Sequence, residues 1–225
     1  MRVKPAVLLV HGAGSSFEHN YRRTGWVDLL EEAGRTVLDY DLPGHGSAAL
    51  ATYENGEQIV DELLSRLAGH ETVDAVGFSA GAQLLAATVA RAPARFSRLV
   101  LLGVGKNILE PYPAGPVRLA SAIADETDPT GRLFRRMARS AGNDVENVQR
   151  YLLVPKPAVD PAALGRVTAR VLVALGDKDY NIPADGLAAA FPDAELRVFP
   201  GVDHFALASD VRCLDVVLSF LAADD

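Results

Sequence analysis

Short apolar runs, punctuated by glycine and proline, alternate along this chain with longer stretches whose apolar residues recur every three or four positions. The runs cover residues 6–10, 36–40, 73–77, 99–102, 171–175 and 196–199, and most are apolar without alternation. That is the pattern of a strand covered on both faces. The segments 25–33, 56–68, 80–92, 183–190 and 211–221 read as helices. In the last of these Val211, Leu214, Leu218 and Leu221 fall on one helical face. Strand and helix in alternation predict an α/β fold, with a mostly parallel sheet of about six strands flanked by helices.

Residues 104–165 break the rhythm, because they separate the fourth strand from the fifth by far more chain than a crossover needs. We read them as an inserted helical lid, with the core formed by residues 1–103 and 166–225 as one structural domain. The insertion opens on Pro111-Tyr112-Pro113-Ala114-Gly115-Pro116, holds helical stretches at 117–124 and 131–141, and closes on Pro155-Lys156-Pro157, so that proline marks both hinges.

Composition narrows the functional classes. The 22 basic against 29 acidic side chains give a formal net charge of −7, which argues against nonspecific binding to a nucleic-acid backbone. A single cysteine, Cys213, excludes an intrachain disulfide framework and any thiolate cluster. The N-terminal apolar run stops at His11-Gly12, too short for a secretory leader, and no stretch approaches the ~18 apolar residues of a membrane span. A cytoplasmic protein without a membrane span is the expectation.

The chemistry gathers where the predicted strands end. Gly77-Phe78-Ser79-Ala80-Gly81 follows the third strand and opens a helix, which is the setting a GxSxG nucleophile turn requires. A tight turn there would expose the Ser79 hydroxyl and aim the free Ala80 N–H at a reacting atom. The plainer alternative is a serine that only caps the helix. The loop His11-Gly12-Ala13-Gly14 leaves the first strand and supplies Ala13 N–H as a second donor to an oxyanion. A dinucleotide loop would need a third glycine, which Ser15-Ser16-Phe17 does not provide. His11 itself reads as a loop-holding residue rather than a base.

Two further loops bear an acid and a base. Asp177-Lys178-Asp179 follows the fifth strand and Asp203-His204-Phe205 follows the sixth, giving the chain order Ser, Asp, His. Asp179 lies farther out than Asp177 and is preferred as the acid; Asp177 would then organise the turn, and Asp203 is a third candidate. No HExxH, no Cys/His cluster and no P-loop is present, so neither metal nor cofactor is expected.

These residues, together with Asp41-Leu42-Pro43-Gly44-His45-Gly46-Ser47, resemble the α/β-hydrolase superfamily and in particular its lidded, esterase-like members. The resemblance runs over nearly the whole chain. It implies Ser79 as nucleophile, Asp179 as acid, His204 as base, and the N–H groups of Ala13 and Ala80 as the oxyanion hole. Compared with larger relatives the sequence opens directly at the strand before HGxG, so one sheet edge is expected to be open or paired with a partner.

The activity implied is hydrolysis of a small or medium carboxylic ester, thioester or related acyl compound. A C–C bond hydrolase, a lactonase and a perhydrolase use similar triads, and a ligand-binding relative without turnover is a further alternative. Within the insertion Tyr112, Phe134, Met137 and Tyr151, with Leu119, Ile123 and Leu133, are candidate pocket walls, although each taken alone reads as a packing residue before a pocket wall. Arg132, Arg135, Arg136 and Arg139 read as a solvated face before an anion clamp. His19, His45 and His70 carry surface or loop roles, and Trp26 and Cys213 read as packing positions. The partner expected is a small acyl substrate; monomer and homodimer both remain open.

Overall fold

A computed structural model describes residues 4–109, 114–156 and 159–223. Six strands, β1 (Ala6–Val10), β2 (Val37–Tyr40), β3 (Val73–Phe78), β4 (Phe96–Leu102), β5 (Arg170–Gly176) and β6 (Ala194–Phe199), form one sheet in the order β2-β1-β3-β4-β5-β6. Every pairing is parallel. β1 and β3 are buried at every residue, which is why their sequences carry no polar alternation. The outer strands differ: Asp39 on β2 and Arg197 and Val198 on β6 are exposed, as edge positions allow.

The crossover helices are α1 (Trp26–Glu32), α2 (Gly56–Arg66), α3 (Ala80–Arg91), α9 (Asp185–Ala189) and α10 (Val211–Ala222). α3 is made of small and apolar residues and packs on β1, β3 and β4. Polar side chains start several helices: Asn55 accepts from Gln58 N–H at 3.1 Å, and Asp210 accepts from Arg212 N–H at 2.9 Å. Trp26 is fully buried and its indole N–H donates to Ala208 O at 2.9 Å, tying α1 to the segment before α10. Cys213 is buried in α10, and burial pushes its thiol up to about 12.

Among the described residues five helices lie between β4 and β5: α4 (Lys106–Leu109), α5 (Ala114–Ala124), α6 (Pro129–Ser140), α7 (Val145–Leu153) and α8 (Pro161–Leu164). α5, α6 and α7 pack against one another. Gly131 makes this approach feasible, since a Cβ there would stand 1.8 Å from Ala122 O. Arg132, Arg136 and Arg139 are exposed, whereas Arg135 turns inward and donates to Ile123 O at 2.5 Å and Asp125 O at 3.0 Å, closing the end of α5. α7 was not expected, although Asp144 caps it and Val148 and Leu152 supply a buried face. Tyr112, the surrounding Pro111 and Pro113, and Pro157 lie outside the described residues. Among the described residues no helix is long and apolar enough to cross a membrane.

Candidate active site

The C-terminal ends of the strands gather the polar side chains singled out above. Ser79 leaves β3 with φ 53° and ψ −112°, a positive φ that no other non-glycine among the described residues adopts. The turn tolerates only glycine on both sides. A Cβ on Gly77 would lie 2.7 Å from Ala82 N, and one on Gly81 would lie 2.2 Å from Val10 O. Ser79 N–H donates to Leu102 O at 2.8 Å, which fixes the serine over the junction of β3 and β4.

His204 comes from the turn after β6 and Asp179 from the loop after β5. Ser79 Oγ–H donates to His204 Nε2 at 3.0 Å, and His204 Nδ1–H donates to Asp179 Oδ2 at 2.8 Å. Both Asp179 and His204 are buried. The other Asp179 oxygen accepts Asn181 N–H at 2.8 Å, and the Asn181 side chain donates to Gly103 O at 2.9 Å, so the acid loop is fastened to the end of β4. Gly103, at φ 66°, leaves room for the imidazole: a Cβ there would approach His204 Cε1 to 3.2 Å. The rings of Tyr180, Phe78 and Phe205 stand around that imidazole at centroid distances of 4.5, 5.2 and 5.5 Å. They restrict its orientation and keep water from it.

The competing carboxylates do other work. Asp177 is exposed and accepts Gly201 N–H at 2.8 Å, and Asp203 is exposed and accepts the N–H groups of Phe205 and Ala206 at 3.0 and 2.9 Å. Both are turn-forming contacts.

Ala13 and Ala80 both line the cavity beside Ser79, and Gly81 packs on the backbone of Val10 and His11 just before Ala13. Among the described residues neither N–H has a protein acceptor. The loop holding Ala13 is braced from behind. His11 Nδ1–H donates to Gly12 O at 2.8 Å while His11 Nε2 accepts Leu42 N–H at 3.0 Å, a loop-holding arrangement. Asp41 accepts Phe17 N–H at 2.7 Å and Ser47 N–H at 2.8 Å. Of the surface and loop roles expected of His45 the structure shows the second: it is fully buried, and its Nε2 accepts Gly14 N–H at 2.9 Å. Burial, with His11 nearby, pushes its pKa down to about 3, so it stays neutral and able to accept. Asn143, between α6 and α7, donates to Ser15 O at 2.7 Å and accepts Gly46 N–H at 2.8 Å. The helices between β4 and β5 are thereby joined to the loop that carries Ala13.

A cavity of about 1330 Å³ opens beside Ser79, Ala13 and Ala80, walled by α3 on one side and by α5, α6 and α7 on the other. Phe134 and Tyr151 line it as expected; Met137 does not, being half-buried on α6 away from the opening. Tyr180, Lys156 and Gln83 line it without having been singled out from the sequence. Tyr180 had a signal in its place directly after Asp179, but Gln83 and Lys156 reach the cavity only through the packing of α3 and α7.

Comparisons with known proteins agree with this architecture. A model of the Alpha/beta hydrolase family matches residues 7–216. An uncharacterized protein of Mycobacterium tuberculosis is 28% identical over 267 residues, spanning 96% of this chain and 75% of that protein. The 2-hydroxy-6-oxononadienedioate/2-hydroxy-6-oxononatrienedioate hydrolase of Klebsiella pneumoniae is 25% identical, over 97% of this chain and 88% of that enzyme. Among solved structures, the 2-hydroxy-6-oxo-6-phenylhexa-2,4-dienoate hydrolase BphD from Rhodococcus sp. strain RHA1 superposes with a TM-score of 0.72 at 25% identity, covering 97% of this chain and 90% of that one. With a six-stranded parallel sheet, a GxSxG turn at the end of β3 and a family match over nearly its full length, this chain belongs to the alpha/beta hydrolase family.

Proposed function

We propose that this hydrolase cleaves a small or medium carboxylic ester, thioester or related acyl compound through an acyl-enzyme on Ser79, with the inserted helices as a lid over the substrate. The observation that carries the reading is the continuous relay from Ser79 Oγ to His204 Nε2 at 3.0 Å and from His204 Nδ1 to Asp179 Oδ2 at 2.8 Å.

In this mechanism His204 Nε2 takes the hydroxyl proton as Ser79 Oγ attacks the acyl carbon. Asp179 holds Nδ1–H, so the lone pair of Nε2 faces the serine and the imidazolium that forms is stabilised. The tetrahedral oxyanion is received by the N–H groups of Ala13 and Ala80, each worth on the order of 10²–10³ in rate when preorganised. His204 then gives its proton to the leaving group, and the bond from the acyl carbon to that group breaks. Water attacks the acyl-enzyme with His204 again as base, releasing the acid and restoring Ser79. Phe134 and Tyr151 offer the acyl chain an apolar wall.

A second reading is hydrolysis of a carbon–carbon bond next to a carbonyl. It is favoured by the names of the 25% identical relatives, which act on 2-hydroxy-6-oxo dienoic acids. One experiment addresses both readings and the non-catalytic alternative: labelling with a fluorophosphonate serine probe, beside turnover of chromogenic esters of graded acyl length, a lactone and a 2-hydroxy-6-oxo dienoic acid. Stoichiometric labelling at Ser79 with ester turnover is expected. Cleavage of the dienoic acid alone would transfer the assignment to the second reading, and absence of labelling and of all turnover would reject both.

A further inference from the structure

The chain is acidic overall, with a formal net charge of −7, yet the ionic side chains lining the cavity beside Ser79 have the opposite balance. Among the described residues Lys106, Arg118 and Lys156 line it against Asp128 alone. The carboxylate of Asp128 is already committed as the cap of α6, accepting Gly131 N–H at 2.8 Å. None of the three cations has a carboxylate partner among the described residues.

Lys156 is the informative member, since Lys106 and Arg118 are exposed whereas Lys156 is largely withdrawn from water. Its ammonium donates to Tyr151 O at 2.6 Å and Val154 O at 2.8 Å and lies 4.0 Å from the centre of the Tyr151 ring. These contacts close the end of α7 and, among the described residues, leave one N–H of the three without a protein acceptor. A lysine with no task beyond capping a helix would keep its head in bulk water, where its charge is cheapest. Burial instead pushes its pKa down to about 7, and an anion placed beside it would restore the charge that the protein leaves without a counter-ion.

We propose that this wall is an anion subsite, and that the acyl compound processed at Ser79 carries a free carboxylate held by Lys156, with Arg118 and Lys106 completing the positive field. The inference rests on the serine-hydrolase reading for the acyl group and on the cavity's charge balance for the carboxylate. A net positive lining in an acidic protein draws anions to the one place where they are useful and repels them elsewhere.

The test compares kcat/KM for mono-p-nitrophenyl glutarate and for the uncharged p-nitrophenyl valerate, using the full chain and its Lys156→Met, Arg118→Gln and Lys106→Gln variants. The ratio of the two values cancels damage common to both substrates. The wild type is expected to favour the glutarate ester, and Lys156→Met to lower the ratio by ~10-fold or more, the scale of one charge-assisted hydrogen bond. A wild type that favours the valerate ester, or a ratio unmoved by all three substitutions, overturns the anion subsite while leaving the hydrolase reading intact. If neither ester is turned over, calorimetric titration of the full chain with glutarate decides the subsite separately. Binding that weakens in Lys156→Met supports it, and the absence of binding overturns it, whatever the fluorophosphonate probe says about Ser79.

Discussion

Asp179 and Asp74 are both buried carboxylates beside a nitrogen base, at opposite ends of the same sheet. At the C-terminal edge Asp179 holds one nitrogen of His204, and the other nitrogen continues to Ser79 and the cavity. Toward the N-terminal edge Asp74, on β3 in register with Val7 of β1, accepts from Arg35 Nη2. The same guanidinium donates to Pro5 O at 2.7 and 3.1 Å and to Leu221 O at 3.0 Å. The donors of Arg35 are spent on Asp74 and on fixed carbonyls, and a guanidinium offers no lone pair to accept a proton in return. Burial raises the pKa of Asp74 from its ordinary value, with the Arg35 charge opposing it. The upper pair can pass a proton on because the imidazole has a second nitrogen, which faces Ser79 and the cavity. The lower pair can only clamp β1, β3 and the end of α10 together.

Substitutions at the two ends should therefore fail in different ways. Ser79→Ala is expected to lower kcat by roughly 10⁴-fold or more with the thermal unfolding midpoint unchanged, since the hydroxyl's recorded partner is His204. Asp179→Asn should cost on the order of 10³–10⁴ in kcat by upsetting the His204 tautomer. Asp177→Asn should stay within about threefold, because Asp177 is exposed and serves Gly201 N–H. A reversed ranking of the two aspartates, read from initial rates, would move the acid role to Asp177. At the other end Asp74→Ala should leave the kcat of folded protein within about threefold while lowering the unfolding free energy by ~3–5 kcal/mol, because Arg35 would be left buried and unpaired. Urea unfolding measures this, and a lost kcat with unchanged stability would erase the contrast between the two pairs.

The upper site was far more legible in the sequence than the lower one. Gly77, Ser79 and Gly81 announce themselves because the turn has steric demands that only one spacing meets, and His204 and Asp179 follow from their place after strands that are themselves plain apolar runs. Arg35 and Asp74 gave no signal, since a charged residue at the end of an apolar run reads as a solvated boundary until the sheet pairing buries it. The same holds for His45, which meets Gly14 only when the loops after β1 and β2 pack together, and for Asn143, which meets Ser15 and Gly46 only when the turn between α6 and α7 settles on those loops. Met137 was misjudged for a related reason: an apolar residue on a helix has a face, but the sequence does not say which neighbour that face meets.

His45 gives the smallest effect and the sharpest test of how the Ala13 loop is held. In the folded protein its pKa lies at about 3, displaced by burial and by His11, whereas in the unfolded chain it lies near ~6.5. Above the unfolded value both states are neutral and the contribution to stability is complete. As the pH falls below ~6.5 the unfolded chain binds a proton that the folded protein refuses, so stability declines until the folded value near 3 is passed. The loss is about 2 kcal/mol on reaching pH ~5. Other groups also titrate in this window, so the comparison is with His45→Gln, which offers Gly14 N–H an acceptor that does not titrate. Urea unfolding between pH ~7 and ~5 should show a shallower decline in the variant than in the wild type. Equal slopes would mean that His45 accepts a proton in place, and then the bond from Gly14 N–H cannot be what braces the Ala13 loop.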